Sequence, residues 1–163
     1  MSSFDSCVVT LKTLIENDSF DELKDFIKAN DLKIEPFLMD GLPDILNKLA
    51  NKPTMDAAKE VGEQVIKQMN PFAMKQYMDI LYDHFDSMKW QIKKGSLILL
   101  GSFAKHQSNI VKFNLPDMIL RVIDMAGDVK PEVKAQANKC FEELCSVIDN
   151  VDIIKIIPDV IKA

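Results

Sequence analysis

One motif recurs four times along this chain and limits what it can fold into. Leu42-Pro43-Asp44-Ile45-Leu46, Tyr77-Met78-Asp79-Ile80-Leu81, Leu115-Pro116-Asp117-Met118-Ile119 and Ile157-Pro158-Asp159-Val160-Ile161 each hold an aspartate among large apolar residues. The aspartates are 35, 38 and 42 residues apart. After each of the first three comes a second segment with small, aliphatic or aromatic residues at helical spacing. These are Ala58, Val61, Val65 and Met69; then Ile92, Gly95, Leu99 and Phe103; then Val133, Ala137, Phe141 and Leu144. Residues so spaced share one helix face. One helical hairpin cannot bury its own apolar face, so neighbouring hairpins must stack and share a core.

The rest of the chain reads the same way. Ser19-Phe20-Asp21-Glu22 has the form of a capping box, serine accepting from the first turn and Glu22 reaching back. Leu23, Phe26 and Ile27 continue it as an apolar stripe. Asn70-Pro71 and Lys130-Pro131 place proline at a first helical position, where no amide donor is needed. Runs of β-branched residues alternating with period two are missing. The spacing predicts an all-α chain of about nine helices, near 5–16, 19–29, 36–49, 55–69, 71–86, 88–105, 109–126, 131–148 and 152–162.

With 163 residues and a hydrophobic fraction of 47%, the chain is one domain able to bury a core without staples. Its five glycines, at 41, 62, 95, 101 and 127, build no GxxxxGK[ST] or GxGxxG phosphate loop. GxSxG and HExxH are also absent. His84 and His106 have no Cys or His partner at metal-ligand spacing. The expectation is a chain with no catalytic residues, no metal and no cofactor. No apolar run reaches the ~20 residues that span a bilayer. Met1-Ser2-Ser3-Phe4-Asp5-Ser6 lacks a signal-type start, and cysteine is limited to Cys7, Cys140 and Cys145. A soluble, cytoplasmic protein is expected.

Charge is segregated beneath a net −5. Residues 1–86 hold 16 acids against nine lysines, and residues 117–163 hold nine acids against Arg121 and five lysines. Residues 87–116 hold no acid, but five lysines: Lys89, Lys93, Lys94, Lys105 and Lys112. Lys89, Lys93 and Lys94 fall on the helix that begins near Trp90, and Lys130, Lys134 and Lys139 occupy the equivalent stretch of the next repeat. Stacking would set them side by side as a basic ridge. Such a ridge meets phosphates or an acidic protein surface, with strong salt dependence; an ordinary solvated helix face is the other reading. The candidate partner-binding residues are Lys89, Trp90, Lys93, Lys94, Lys130 and Lys134. Reversing Lys93 and Lys94 to glutamate would then weaken binding without shifting the melting temperature. Trp90 reads either as a wedge buried between hairpins or as an aromatic anchor at the edge of the ridge. Cys140 and Cys145 read as small apolar packing residues, the histidines as capping or solvated groups, and the methionines as core filling.

A helix–turn–helix unit of 35 to 42 residues with proline in its first helix resembles the HEAT repeat. More specifically, Asn70-Pro71-Phe72-Ala73-Met74-Lys75, Met88-Lys89-Trp90-Gln91-Ile92-Lys93-Lys94-Gly95, Lys130-Pro131-Glu132-Val133-Lys134-Ala135 and Asp152-Ile153-Ile154-Lys155-Ile156-Ile157-Pro158 resemble the N-terminal HEAT domain of translation elongation factor 3. The HEAT region of the large activator of the general-control initiation-factor kinase shares this pattern. The resemblance is good over about 70–163, weaker over 36–69, and gives no register for 1–35. Together with the repeat spacing it gives a HEAT-repeat α-solenoid; the helical spacing divides it into a capping hairpin at 1–35, repeats at 36–70, 71–107 and 108–150, and the start of a further repeat at 151–163. The alternative for 151–163 is a terminal helix that closes the stack. Functionally, the resemblance implies a ribosome-binding module in protein synthesis, contacting rRNA phosphates and ribosomal proteins, with no DNA or membrane partner. The family's ATP-binding cassettes have no counterpart here, so ATPase activity does not carry over. Other readings are a protein–protein scaffold using the solenoid groove: a tubulin-binding array of the TOG type, or a regulatory subunit of an enzyme such as a phosphatase.

Overall fold

The computed structural model describes residues 3–148; the helix expected at 152–162 and the further repeat it would begin lie outside them. Among the described residues every regular element is helical: α1 (Ser3–Glu16), α2 (Phe20–Asn30), α3 (Glu35–Asn47), α4 (Met55–Gln68), α5 (Met74–Asp83), α6 (Trp90–His106), α7 (Ser108–Ala126) and α8 (Pro131–Cys145). Consecutive helices pair as antiparallel hairpins, α1 with α2, α3 with α4, α5 with α6 and α7 with α8. The even helices stack in the order α2, α4, α6, α8, while α1 packs on α3 and α3 on α5. Arg121 of α7 lies 5.3 Å from the centre of the Tyr82 ring of α5, continuing the odd layer.

The repeated motif explains the stacking. Leu42, Ile45 and Leu46 of α3, Tyr77, Met78 and Leu81 of α5, and Met118 of α7 are buried, while Asp44, Asp79 and Asp117 face solvent. Each of these three motifs therefore turns one helix of a hairpin inward and keeps its aspartate out. On the other layer Ala58, Val61, Val65, Ile92, Leu99, Phe103, Val133, Ala137, Phe141 and Leu144 are all buried. Two contacts show how closely these helices approach. A Cβ on Gly62 of α4 would stand 2.7 Å from a Leu99 methyl of α6, and one on Gly95 of α6 would stand 2.5 Å from a Leu49 methyl. Tyr77, wholly buried, donates its hydroxyl to the Gly62 carbonyl at 3.1 Å and meets Phe103 edge-to-face, with centroids 5.4 Å apart.

Helix ends depart from the expected boundaries where short 3₁₀ turns intervene. The helix expected over 71–86 divides into a turn at Pro71–Ala73, α5, and a turn at His84–Asp86. Asn70 does cap its start, with Oδ1 accepting from the Phe72 amide at 3.0 Å. The capping box at Ser19 does not form. Asp18 adopts a left-handed backbone (φ 57°), and α2 opens through main-chain bonds: Phe20 donates to the Asp18 carbonyl and Leu23 to the Ser19 carbonyl. The turn itself presents the acceptors that the side chains would have supplied.

Candidate functional site

The turns within successive hairpins lie along one edge of the stack, because antiparallel hairpins piled in register bring equivalent connections together. Leu49, in the α3–α4 connection, packs against the start of α6 at Gly95, so that connection adjoins the α5–α6 connection. The next step along the edge is made by an ion pair. Lys93 Nζ, one turn into α6, donates to Asp128 Oδ2 at 2.8 Å, in the turn between α7 and α8. Both side chains are largely removed from water, Lys93 at 23% exposure and Asp128 at 11%.

Asp128 is the organising residue. Its Oδ1 accepts from the Lys130 amide at 2.8 Å, closing the turn ahead of α8. That backbone bond, then the Lys93 ammonium and the nearby charge of Lys134, hold its carboxyl below the usual range; partial burial opposes them. The charges of Lys93 and Lys134 therefore act on a single carboxylate, to which Lys130 contributes only its backbone amide. Nothing in the acid-free stretch 87–116 points to it, since Asp128 lies 35 residues from Lys93 and enters only through the fold.

The other candidate residues take distinct positions. Lys89 is the residue before α6, in extended backbone and exposed, its amide donating to Ser87 Oγ at 3.3 Å. Lys130 holds the same place before α8, also extended and exposed. Lys134 is exposed one turn further along α8, and Lys94 is half-buried beside Lys93. Lys139 stands about 140° around α8 from Lys134 at 100° per residue, so it belongs to another flank. Trp90 opens α6 half-buried, packed against the core. It is neither a fully enclosed wedge nor a free surface ring.

Cys140 and Cys145 are buried free thiols; burial pushes the Cys140 thiol up, and that of Cys145 to about 11. Neither is a thiolate at neutral pH. His84 Nδ1–H donates to the Ile80 carbonyl at 2.7 Å at the end of α5, and His106 is held below its ordinary value by burial and by Lys67. Among the described residues, no group of three or more His, Cys, Asp or Glu is arranged to hold a metal ion. A cleft of about 660 Å³ lies between α1 and α3, lined by Leu11, Ile15, Phe37 and Gly41 with Lys12, Glu16 and Asp40 among its polar neighbours. It is separate from the lysine edge, which belongs to α6, α8 and the turns before them.

An all-α array of stacked hairpins with short intra-hairpin turns along one edge is an α-solenoid of the HEAT-repeat class. A family model described as the EF3 N-terminal HEAT repeat matches residues 18–141, and the chain belongs to that family. Elongation factor 3 of Phytophthora infestans is 34% identical over 137 residues, 82% of this chain and 13% of that protein. Elongation factor 3 of Gonapodya prolifera is 31% identical over 132 residues, 79% of this chain and 12% of that protein. The eIF-2-alpha kinase activator GCN1 of Saccharomyces cerevisiae is 24% identical over 131 residues, 79% of this chain and 5% of that protein. The chain thus spans about an eighth of the length of the elongation factors it matches. The family match begins at residue 18, reaching into the segment where the sequence motifs give no register.

Proposed function

We propose that this chain is a non-catalytic docking module of the protein-synthesis machinery, working in the cytoplasm and binding the ribosome through the edge that carries Lys89, Trp90, Lys93, Lys94, Lys130 and Lys134. One observation carries the reading: Lys93 and Lys134, from two consecutive hairpins, both bring their charge to Asp128, whose turn sets Lys130 at the start of the next helix. The names of the relatives support the setting, since the matched proteins of Phytophthora infestans and Gonapodya prolifera are elongation factors. In this arrangement Asp128 consumes the charge of Lys93 and locks the α7–α8 turn to α6. Lys89, Lys94, Lys130 and Lys134 remain for the partner, held on a rigid frame that loses little freedom on binding.

The test is co-sedimentation with purified ribosomes across a salt series. A lysine edge engaging phosphates makes log affinity fall linearly with log salt, by about 0.7–0.9 for each phosphate neutralised. Lys89→Glu with Lys130→Glu is expected to weaken binding and remove about half of this slope while leaving the melting temperature unchanged, because both side chains are exposed. Unchanged sedimentation of that variant removes the edge as the binding surface. Reversal of Lys93 is unsuitable for this purpose, since it sets a glutamate against the largely enclosed Asp128 side chain and destabilises the turn.

A further inference from the structure

The acidic surplus of residues 1–86, 16 acids against nine lysines, plays no part in the lysine edge. It meets apolar surface at the cleft of about 660 Å³ between α1 and α3. Val8, Phe37 and Gly41 line this cleft half-buried, over the buried Leu11 and Ile15. Gly41 keeps the floor low. A Cβ there would stand 2.9 Å from Ile15 Cδ1 and 3.7 Å from Leu11 Cδ2, so the two helices touch at the base while the trough stays open above. The rim is charged. Glu16 stands on the α1 side, and Asp40 and Asp44, one turn apart, stand on the α3 side, all three exposed. Among the described residues none of the three forms an ion pair. Of the two lining lysines, Lys48 is held by Asp18 at 2.5 Å, which sets Lys12 against three carboxylates.

We propose that this cleft receives a basic amphipathic helix of a partner protein, its apolar stripe on Val8, Phe37 and Gly41 and its cations against Glu16, Asp40 and Asp44. The dimensions fit. At 1.5 Å per residue α1 runs about 12 Å from Val8 to Glu16 and α3 about 16 Å from Phe37 to Lys48, the length of two to three turns of a docked helix. A groove between two helices reads apolar anchors at i, i+3, i+4 and i+7. Carboxylates on both walls then select the flanks of the incoming helix, since acidic flanks meet like charge and neutral ones leave the carboxylates uncompensated. The excess of acids over this half of the chain steers a cation towards it. The cleft divides two neighbouring helices of one layer, so it is distinct from a groove running the length of the solenoid. It also stands apart from the lysine edge, and the proposal does not depend on ribosome docking.

The probe is a dye-labelled peptide of about 14 leucines and lysines, with leucines at i, i+3, i+4 and i+7, titrated with the full chain and read by fluorescence anisotropy. Asp40→Lys with Asp44→Lys is expected to weaken binding roughly ten-fold or more, because two attractive contacts become repulsive. Both side chains are exposed, so the melting temperature stays that of the wild type. Asp79→Lys with Asp83→Lys makes the same change of charge on the exposed side of α5 and is expected to bind within about two-fold of the wild type. Equal losses in the two double variants mean attraction to an acidic chain as a whole and overturn the cleft. A wild type that fails to bind the peptide overturns it too, as does one that binds a glutamine-for-lysine peptide equally tightly.

Discussion

Asp128 accepts from the Lys130 amide and from the Lys93 ammonium, and both bonds favour the charged carboxylate over the acid. Its folded value is depressed from the ordinary 3.8. The stability it contributes is therefore complete above the unfolded value and is lost as pH falls through the lower folded one. Asp128→Asn is expected to lower unfolding free energy by about 1 kcal/mol at pH 7, a deficit that shrinks as pH falls below 3.8 and through the lower folded value. Parallel denaturation curves of the two proteins at pH 7 and at successively lower pH check this; a deficit that never shrinks assigns the effect to packing. Tyr77→Phe removes one buried donor from the Gly62 carbonyl while keeping the edge-to-face contact with Phe103. A loss of about 1 kcal/mol is expected from chemical denaturation. At this scale the lysines were legible in sequence, because thirty residues without an acid stand out in an acidic chain. Asp128 was not, because a carboxylate in a short turn far along the chain carries no local sign of its partner. The full exposure of Met88 was equally hidden: composition reads a methionine as filling, and only the turn geometry places it in water.

Among the elements, α6 holds the central place, packing against α3, α4, α5, α7 and α8. Its small residues make that possible. Gly95 admits the Leu49 side chain and Gly62 of α4 admits Leu99, each within the distance a methyl would need. Helix propensity alone predicts that Gly95→Ala stabilises α6 by about 1 kcal/mol. Overpacking against a buried leucine opposes this by about 1–3 kcal/mol. Net destabilisation is expected, measured as a lower denaturation midpoint; a raised midpoint shows that Leu49 moves aside at little cost. The helices themselves were readable because 3.6-residue spacing and the Asn-Pro and Lys-Pro starts are local signals. The 3₁₀ turns at 71–73 and 84–86 were not, since a tightened turn keeps the same apolar spacing. The failed capping box at Ser19 follows from the left-handed Asp18, a backbone choice that Ser-x-x-Glu does not encode.

Over the whole molecule, stability is distributed along a line. Among the described residues the main helix contacts run between neighbouring hairpins, so the array behaves as coupled units whose ends open more easily than its middle. Leu23 of α2 and Phe103 of α6 are both wholly buried, but α2 packs on α1 and α4 while α6 joins nearly every later element. Truncating either to alanine removes comparable apolar contact, costing about 2–5 kcal/mol locally. The consequences should differ with position. Leu23→Ala is expected to speed amide exchange in α1 and α2 by about thirty-fold or more, leaving α6, α7 and α8 nearly as protected as in the wild type, because their contacts with one another are untouched. Phe103→Ala weakens the interfaces on both sides of α6 at once, so protection falls across α4, α5, α6 and α8 together. Native-state hydrogen exchange resolved by residue separates the two patterns. Uniform loss of protection in both variants means that the stack melts as a single unit. In that case the lysine edge, which spans α6 and α8, draws its rigidity from the entire array rather than from the two hairpins that carry it.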